Sequence, residues 1–108
     1  MKTLYRFTFP EGTERALIEA QLAMAISSAE FAYGEPAVKL SARYYIAEDK
    51  PLCLLEASSP VGEHIVKVFT GFMTRGLGEE SFCVERIEGV QSKIAYSSVP
   101  SKETGTQT

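Results

Sequence analysis

The sequence lacks several features that would assign it to a functional class. No run approaches the ~20 consecutive apolar residues of a membrane-spanning helix. Its net charge is −3, so it has no basic excess of the kind that nucleic acids or anionic membranes attract. The N-terminus, "MKTLYRFTFPEG", has no uncharged apolar segment of the secretory type. These absences predict a cytoplasmic protein that binds neither nucleic acid nor membrane.

Residues for metal and catalytic chemistry are also scarce. The chain has one histidine, His64, and two cysteines, Cys53 and Cys83, which lie far apart in sequence. The spacings HxxxH, HExxH and CxxC are absent, so we expect no metal and no cofactor. We interpret both cysteines as free thiols. We interpret His64 as a surface residue, since no Ser or Cys nearby in sequence forms a recognisable catalytic pair with it. No catalytic residue is therefore predicted.

A short GxG in "TRGLGEES" (residues 74–81) resembles part of a phosphate-binding loop only superficially. A dinucleotide-binding loop follows a strand and opens a helix. Here the glycines follow an apparent helix and precede an apparent strand. They are better interpreted as a helix stop.

The length of 108 residues suits a single domain. We assign it to residues 1–98. The last residues, 99–108, are rich in Ser, Thr and Gly and offer almost nothing to bury. That composition predicts a disordered C-terminal tail.

The first half of the chain predicts a strand, a helix and a second strand. Residues 2–9 alternate, with Tyr5, Phe7 and Phe9 on one face. Residues 11–34 are helical, with a core stripe that Leu17 and Met24 widen and many alanines that allow close packing on a sheet. Residues 37–47, "AVKLSARYYIA", alternate again and predict a long strand. The helical stripe comprises Ile18, Leu22, Ile26 and Ala29.

The second half predicts a strand, a helix and one or two strands. Residues 52–57 continue as a strand after a polar bend. Ser59 followed by Pro60 is typical of a helix start, and the helix ends at Gly76 or Gly78. Residues 80–87 predict a fourth strand, and residues 90–97 a possible fifth C-terminal strand.

This order is β-α-β-β-α-β, the split βαβ or ferredoxin-like sandwich of the α+β class. Right-handed crossovers place both helices on one face of an antiparallel four-stranded sheet with the strand order 4-1-3-2. The other face, called here the open face, is left without helices. Many unrelated functions share this topology, so the fold alone indicates none.

The open face is the predicted binding surface, because it mixes leucines with charges of both signs. Exposed apolar patches usually mark interfaces. In spatial order the charges alternate as Glu85, Arg6, Glu56 and Arg43, which predicts ion pairs between neighbouring strands. The candidate site residues are Leu4, Arg6, Arg43, Tyr45, Leu52, Leu54, Glu56, Cys83 and Glu85.

The favoured function is a small non-enzymatic interaction module that pairs with itself or with another protein through the open face. One alternative is a small enzyme whose pocket is enclosed between the sheets of two subunits. Another is a regulatory domain that binds a small metabolite. An RNA-recognition module needs aromatics on the open face of strands one and three. Here the aromatics of the first strand are assigned to the core, which disfavours RNA binding.

Overall fold

The computed structural model describes residues 2–88 of the chain. The predicted fifth strand (residues 90–97) and C-terminal tail (99–108) lie outside the described residues. Among residues 2–88, no helix combines the length and apolarity required to cross a membrane. The elements, in chain order, are β1 (Thr3–Thr8), α1 (Arg15–Tyr33), α2 (Glu35–Ser41), β2 (Tyr44–Ile46), β3 (Leu52–Glu56), α3 (Pro60–Leu77) and β4 (Cys83–Glu88).

The fold is α+β with a four-stranded antiparallel sheet, which confirms the predicted class. The strand order is β2-β3-β1-β4. Read from the β4 edge this is 4-1-3-2, so β1 lies between β3 and β4 as expected. All three pairings are antiparallel. Phe7 lies opposite Cys53 on β3 and Val84 on β4, which fixes the faces of three strands together.

The hydrophobic core lies between the sheet and the helices. Side chains from α1, α2 and α3 all join one cluster with the inward residues of β1 and β3. Phe7 is fully buried, and its ring meets Phe69 of α3 edge to face at a centroid distance of 4.9 Å. Phe9 and Phe82 complete this aromatic group. The aromatics of β1 therefore point to the helices and not to the open face.

The long second strand predicted over residues 37–47 is wrong. Its first half is the helix α2, and only Tyr44–Ile46 forms a strand. Pro36 lies at the start of α2, where the missing N–H costs no hydrogen bond, and Gly34 turns the chain there with φ 94°. Val38 is buried, whereas Leu40, which a strand would place on the same face as Val38, is 76% exposed. The alternation of apolar residues was misleading, because Val38 and Ala42 are also one helical turn apart.

In helix α1 the predicted core stripe is largely confirmed, with Ile26 partly buried against the core, and only the widening of the stripe is wrong. Its buried residues are Ile18, Leu22, Ala25 and Ala29. Leu17 and Met24, expected to widen the core stripe, are exposed instead. Two alanines take part in the close packing of α1, as expected from its composition, but other alanines of the helix face solvent.

Helix α3 begins where the sequence predicts, directly after β3. The Ser59 hydroxyl accepts a hydrogen bond from the backbone N–H of Gly62 at 3.0 Å, and Pro60 occupies the first turn. Gly62 is buried against the end of β3. A Cβ atom there would lie 2.3 Å from the carbonyl oxygen of Glu56 and 3.2 Å from the Cα atom of Ala57. The first turn of α3 can approach the sheet this closely only because residue 62 has no side chain.

We predict that Gly62→Ala lowers the free energy of unfolding by about 2–3 kcal/mol, because the obstructing atoms belong to the backbone and cannot move aside. Gly71→Ala is the matched control in the same helix. Residue 71 is exposed and a Cβ there meets nothing within 4 Å, so this change should stabilise by roughly 0.5–1 kcal/mol. Urea unfolding followed by circular dichroism measures both. Equal effects of the two substitutions would show that the approach of α3 to β3 is not tight.

Candidate functional site

The strand register places the predicted site residues on one surface. Arg6 lies opposite Leu54 on β3 and opposite Glu85 on β4, and Tyr45 of β2 lies opposite Leu54. These four therefore form one row across all four strands. Since the core cluster and the described helices lie against the other side, this row belongs to the open face. A second row contains Thr8, Leu52 and Cys83, and a third contains Leu4, Glu56 and Ile87.

The centre of the open face carries an ion pair between Arg6 and Glu85. The Nε atom of Arg6 donates a hydrogen bond to Oε1 of Glu85 at 2.8 Å, and the Nη2 atom contacts the same oxygen. Both side chains remain substantially exposed, so solvent screens the attraction. Cross-strand pairs of this kind contribute roughly 0.2–1 kcal/mol. The predicted pairing of these two charges is confirmed, and its effect on stability is small.

The predicted ion pairs of Glu56 with Arg6 and Arg43 are wrong. Leu54, not Glu56, lies directly opposite Arg6. A backbone hydrogen bond of 3.0 Å links the N–H of Glu56 to the carbonyl of Arg43, so these residues are neighbours. The guanidinium of Arg43 nevertheless turns to the carbonyl oxygen of Ala42 at 3.0 Å. Within residues 2–88, Glu56 and Arg43 have no ion-pair partner.

The apolar part of the open face is smaller than the sequence predicts. Leu4 lies on this face by register, but it is only 1% exposed and offers no contact area. Leu52 and Leu54 are half-buried, and Tyr45 is exposed. The accessible apolar surface therefore lies over β3 and β2, beside the unpaired charges of Arg43 and Glu56.

The two cysteines occupy opposite environments. Cys53 faces the core and is fully buried, and this burial raises the pKa of its thiol well above the ordinary value. Cys83 lies on the edge strand β4, opposite Thr8 on the open face, and is exposed. Both are free. Since only a thiolate is a strong nucleophile, Cys53 is chemically inert in the folded protein.

One contact between helices was not anticipated from the sequence. The Oγ atom of Ser28 in α1 lies 2.9 Å from Nε2 of His64 in α3, and the ring of Tyr33 meets the imidazole edge to face. The interpretation of His64 as a plain surface residue is therefore wrong. Because 36 residues separate the serine from the histidine, only the packing of α1 on α3 brings them together. No local motif could have revealed this contact.

The Ser28–His64 contact has the distance of a nucleophile–base pair but not its surroundings. Acyl transfer also needs backbone N–H donors that point to the developing oxyanion. Ser28 lies in the middle of α1, where the neighbouring N–H groups donate to carbonyls of the same helix. The contact therefore fits a helix-to-helix hydrogen bond between half-buried polar side chains better than it fits a catalytic pair.

The described part of the chain contains no cluster of metal-ligating side chains. Among residues 2–88, no three His, Cys, Asp or Glu side chains come together in an arrangement that could hold an ion. The open face, where Tyr45 and exposed charges lie beside the half-buried Leu52 and Leu54, is the principal candidate site.

No protein-family model matches this chain, and no curated protein or solved structure is detectably similar to it. A function has to be argued from the chain's own side chains and surfaces.

We predict that only one thiol reacts when dilute native protein is treated with a disulfide reagent such as Ellman's. Cys83 is exposed, whereas Cys53 is buried and its raised pKa keeps it protonated. Release of the chromophore should correspond to one thiol per chain in buffer and two in denaturant. The Cys83→Ser variant is the control and should release none until it unfolds. Native reactivity of both thiols at similar rates would contradict the burial of Cys53.

Proposed function

We propose that this protein is a small non-enzymatic interaction module that assembles with another protein chain through the open face of its sheet. The proposal is supported mainly by one observation: accessible Leu52, Leu54 and Tyr45 lie beside Arg43 and Glu56, whose charges have no ion-pair partner within the described residues. A mixed surface of this kind resembles a protein interface, with an apolar centre and a polar rim.

The charges near the β2 edge favour a second copy of the same chain as the partner. Arg43 directly precedes β2, and its carbonyl accepts a hydrogen bond from the N–H of Glu56 at the end of β3, so these two residues of opposite charge are adjacent. In a symmetric pair the same surface meets itself, so each residue of one protomer can contact the other residue of its partner. Arg43 can then pair with Glu56 across the interface twice. A larger protein with complementary charges is the other partner that this surface could accept.

The chemistry of the cysteines supports a cytoplasmic location as part of the same proposal. Cys53 and Cys83 are both free, and Cys83 is exposed. An exposed unpaired thiol persists best in a reducing compartment.

We predict that Leu54→Asp reduces the molar mass of the native assembly, because a carboxylate replaces an apolar side chain at the centre of the interface. Arg43→Ala and Glu56→Ala should weaken association less, each by roughly 1 kcal/mol. Size-exclusion chromatography with light scattering, over a range of concentrations, gives the mass. Circular dichroism should show an unchanged fold.

Leu40→Asp is the matched control for this experiment. It introduces the same charge at an exposed leucine, but on α2, which packs on the helix side of the sheet. The proposal predicts that Leu40→Asp leaves the open-face association unchanged. If Leu54→Asp, Arg43→Ala and Glu56→Ala all retain the association of the wild-type chain, this face is not the surface through which it assembles.

A further inference from the structure

The outward side of α1 presents three large apolar residues to solvent. Leu17, Met24 and Phe31 are 36%, 53% and 96% exposed. They are spaced seven residues apart, so they lie close to one line along the helix. This line is called here the α1 stripe. Its mean direction lies about 100–160° around the helix from the buried residues Ile18, Leu22, Ala25 and Ala29, given about 100° per residue.

Small uncharged residues surround the α1 stripe. Ala16, Ala20, Ala23 and Ser27 lie on the same side of α1 and are exposed. The three charged residues of the helix, Arg15, Glu19 and Glu30, lie together on the flank nearer the core, where Arg15 and Glu19 form an ion pair at 2.9 Å. A wide part of the solvent-facing surface of α1 thus has no charge.

Helix α3 shows what an ordinary solvent-facing surface looks like in this protein. It is also amphipathic, and its exposed side carries Glu63, Lys67 and Arg75. A helix that is apolar on most of its circumference is normally buried on most of its circumference. By that comparison, α1 has the surface of a helix that is covered on both sides. Within residues 2–88, only its inward side is covered, by the sheet and the other helices.

We propose that the α1 stripe is a homodimer interface in which α1 packs antiparallel on α1 of a second copy. The equal spacing of seven residues makes the stripe self-complementary. With the two-fold axis beside Met24, Leu17 of one protomer lies opposite Phe31 of its partner, and the reverse contact follows by symmetry. The four small residues allow the helix axes to approach to about 8 Å.

The area involved suits a symmetric dimer. Covering three side chains of this size and the small residues between them removes on the order of 500 Å² per chain from water. Two copies together then bury about 1,000 Å², which reaches the lower limit of specific interfaces. A stripe without charges requires no charged complement on its partner. An identical stripe satisfies this condition.

This interface is separate from the open face. The α1 stripe belongs to the helix layer, whereas the open face is the reverse side of the sheet, so no residue is shared between them. The proposal therefore does not depend on the proposed function. If the open face also binds a second copy, each wild-type chain has two neighbours on opposite sides, and the assembly grows beyond a dimer without closing. If the open face binds another protein, the purified chain forms a dimer.

The test is the molar mass of the full chain carrying Met24→Glu, measured by light scattering after size exclusion at high micromolar concentration. The mass should fall to that of a single chain if the open face does not self-associate, and to that of an open-face dimer if it does. Met24→Leu is the matched control and should retain the wild-type mass. Leu54→Asp combined with Met24→Glu should yield a single chain. An unchanged mass for Met24→Glu, or a wild-type chain that is monomeric, overturns the proposal.

A cross-linking experiment tests the antiparallel geometry of the same interface and introduces no charge into it. Leu17→Cys and Phe31→Cys are made separately in a Cys83→Ser background, mixed, and treated with a short bismaleimide. The antiparallel arrangement predicts cross-linked heterodimers of the two variants, and little product from either variant alone. A cysteine at Glu19, on the charged flank of α1, is the control and should not cross-link. Equal products from all variants would indicate random collision and overturn the proposal.

Discussion

The burial of Phe7 determines which side of the sheet each strand residue occupies. Its ring is enclosed by Phe9, Phe69 and Phe82, and burying a side chain of this size stabilises the fold by about 1.5–3 kcal/mol. Because side chains alternate along a strand, an inward Phe7 requires an outward Arg6 and an outward Thr8. A slip of one residue would exchange the two faces, which places an arginine in the core and a phenylalanine in water.

The open face follows from this constraint through the register. With Phe7 opposite Cys53 and Val84, Arg6 must lie between Leu54 and Glu85. The central charge of the face is thereby satisfied within the subunit. The accessible leucines lie toward the β2 and β3 side, where the sheet ends after a strand of three residues. Arg43 and Glu56, which have no ion-pair partner within residues 2–88, lie there too. The part of the face with unsatisfied charge is thus an edge region, and partners should engage it off-centre.

Period-two patterns were enough to predict β1 and β3, because one side of each of these strands is buried. On the edge strand β4 the same pattern placed Cys83 and Glu85 on the open face correctly, although neither side of this strand is buried. The helix start at Ser59 and Pro60 was equally readable, since capping chemistry is local. The prediction of the second strand was wrong because the apolar residues of 37–42 fit both the two-residue period of a strand and the 3.6-residue period of a helix. The apolar residues alone favour neither the strand period nor the helix period. Gly34 and Pro36 favour the helix, because they are typical of a helix start.

The sequence predicted which residues lie on the open face, but not how their side chains pair. Alternation selects the residues of a face, which is why Arg6 and Glu85 were correctly paired. It does not determine side-chain conformation, so the separation of Arg43 from Glu56 could not be read from the pattern. Contacts between side chains of different helices are harder still to predict from the sequence. Ser28 and His64 meet because α1 and α3 pack at one particular rotation, and that rotation is decided by the whole core.

The same rotation explains the α1 stripe. The sequence of α1 offers two apolar lines, one through Ile18 and Leu22 and one through Leu17 and Met24, and a single sheet can cover only one of them. The line with Ala25 and Ala29 packs inward, because small residues let the helix lie close to its neighbours. The line through Leu17 and Met24 therefore faces solvent. A helix with two apolar lines buries both only between two layers, and in the dimer proposed above α1 of the second copy is the second layer. Since the two surfaces lie on opposite sides of the aromatic core and share no side chain, the free energies of association at each should be close to additive.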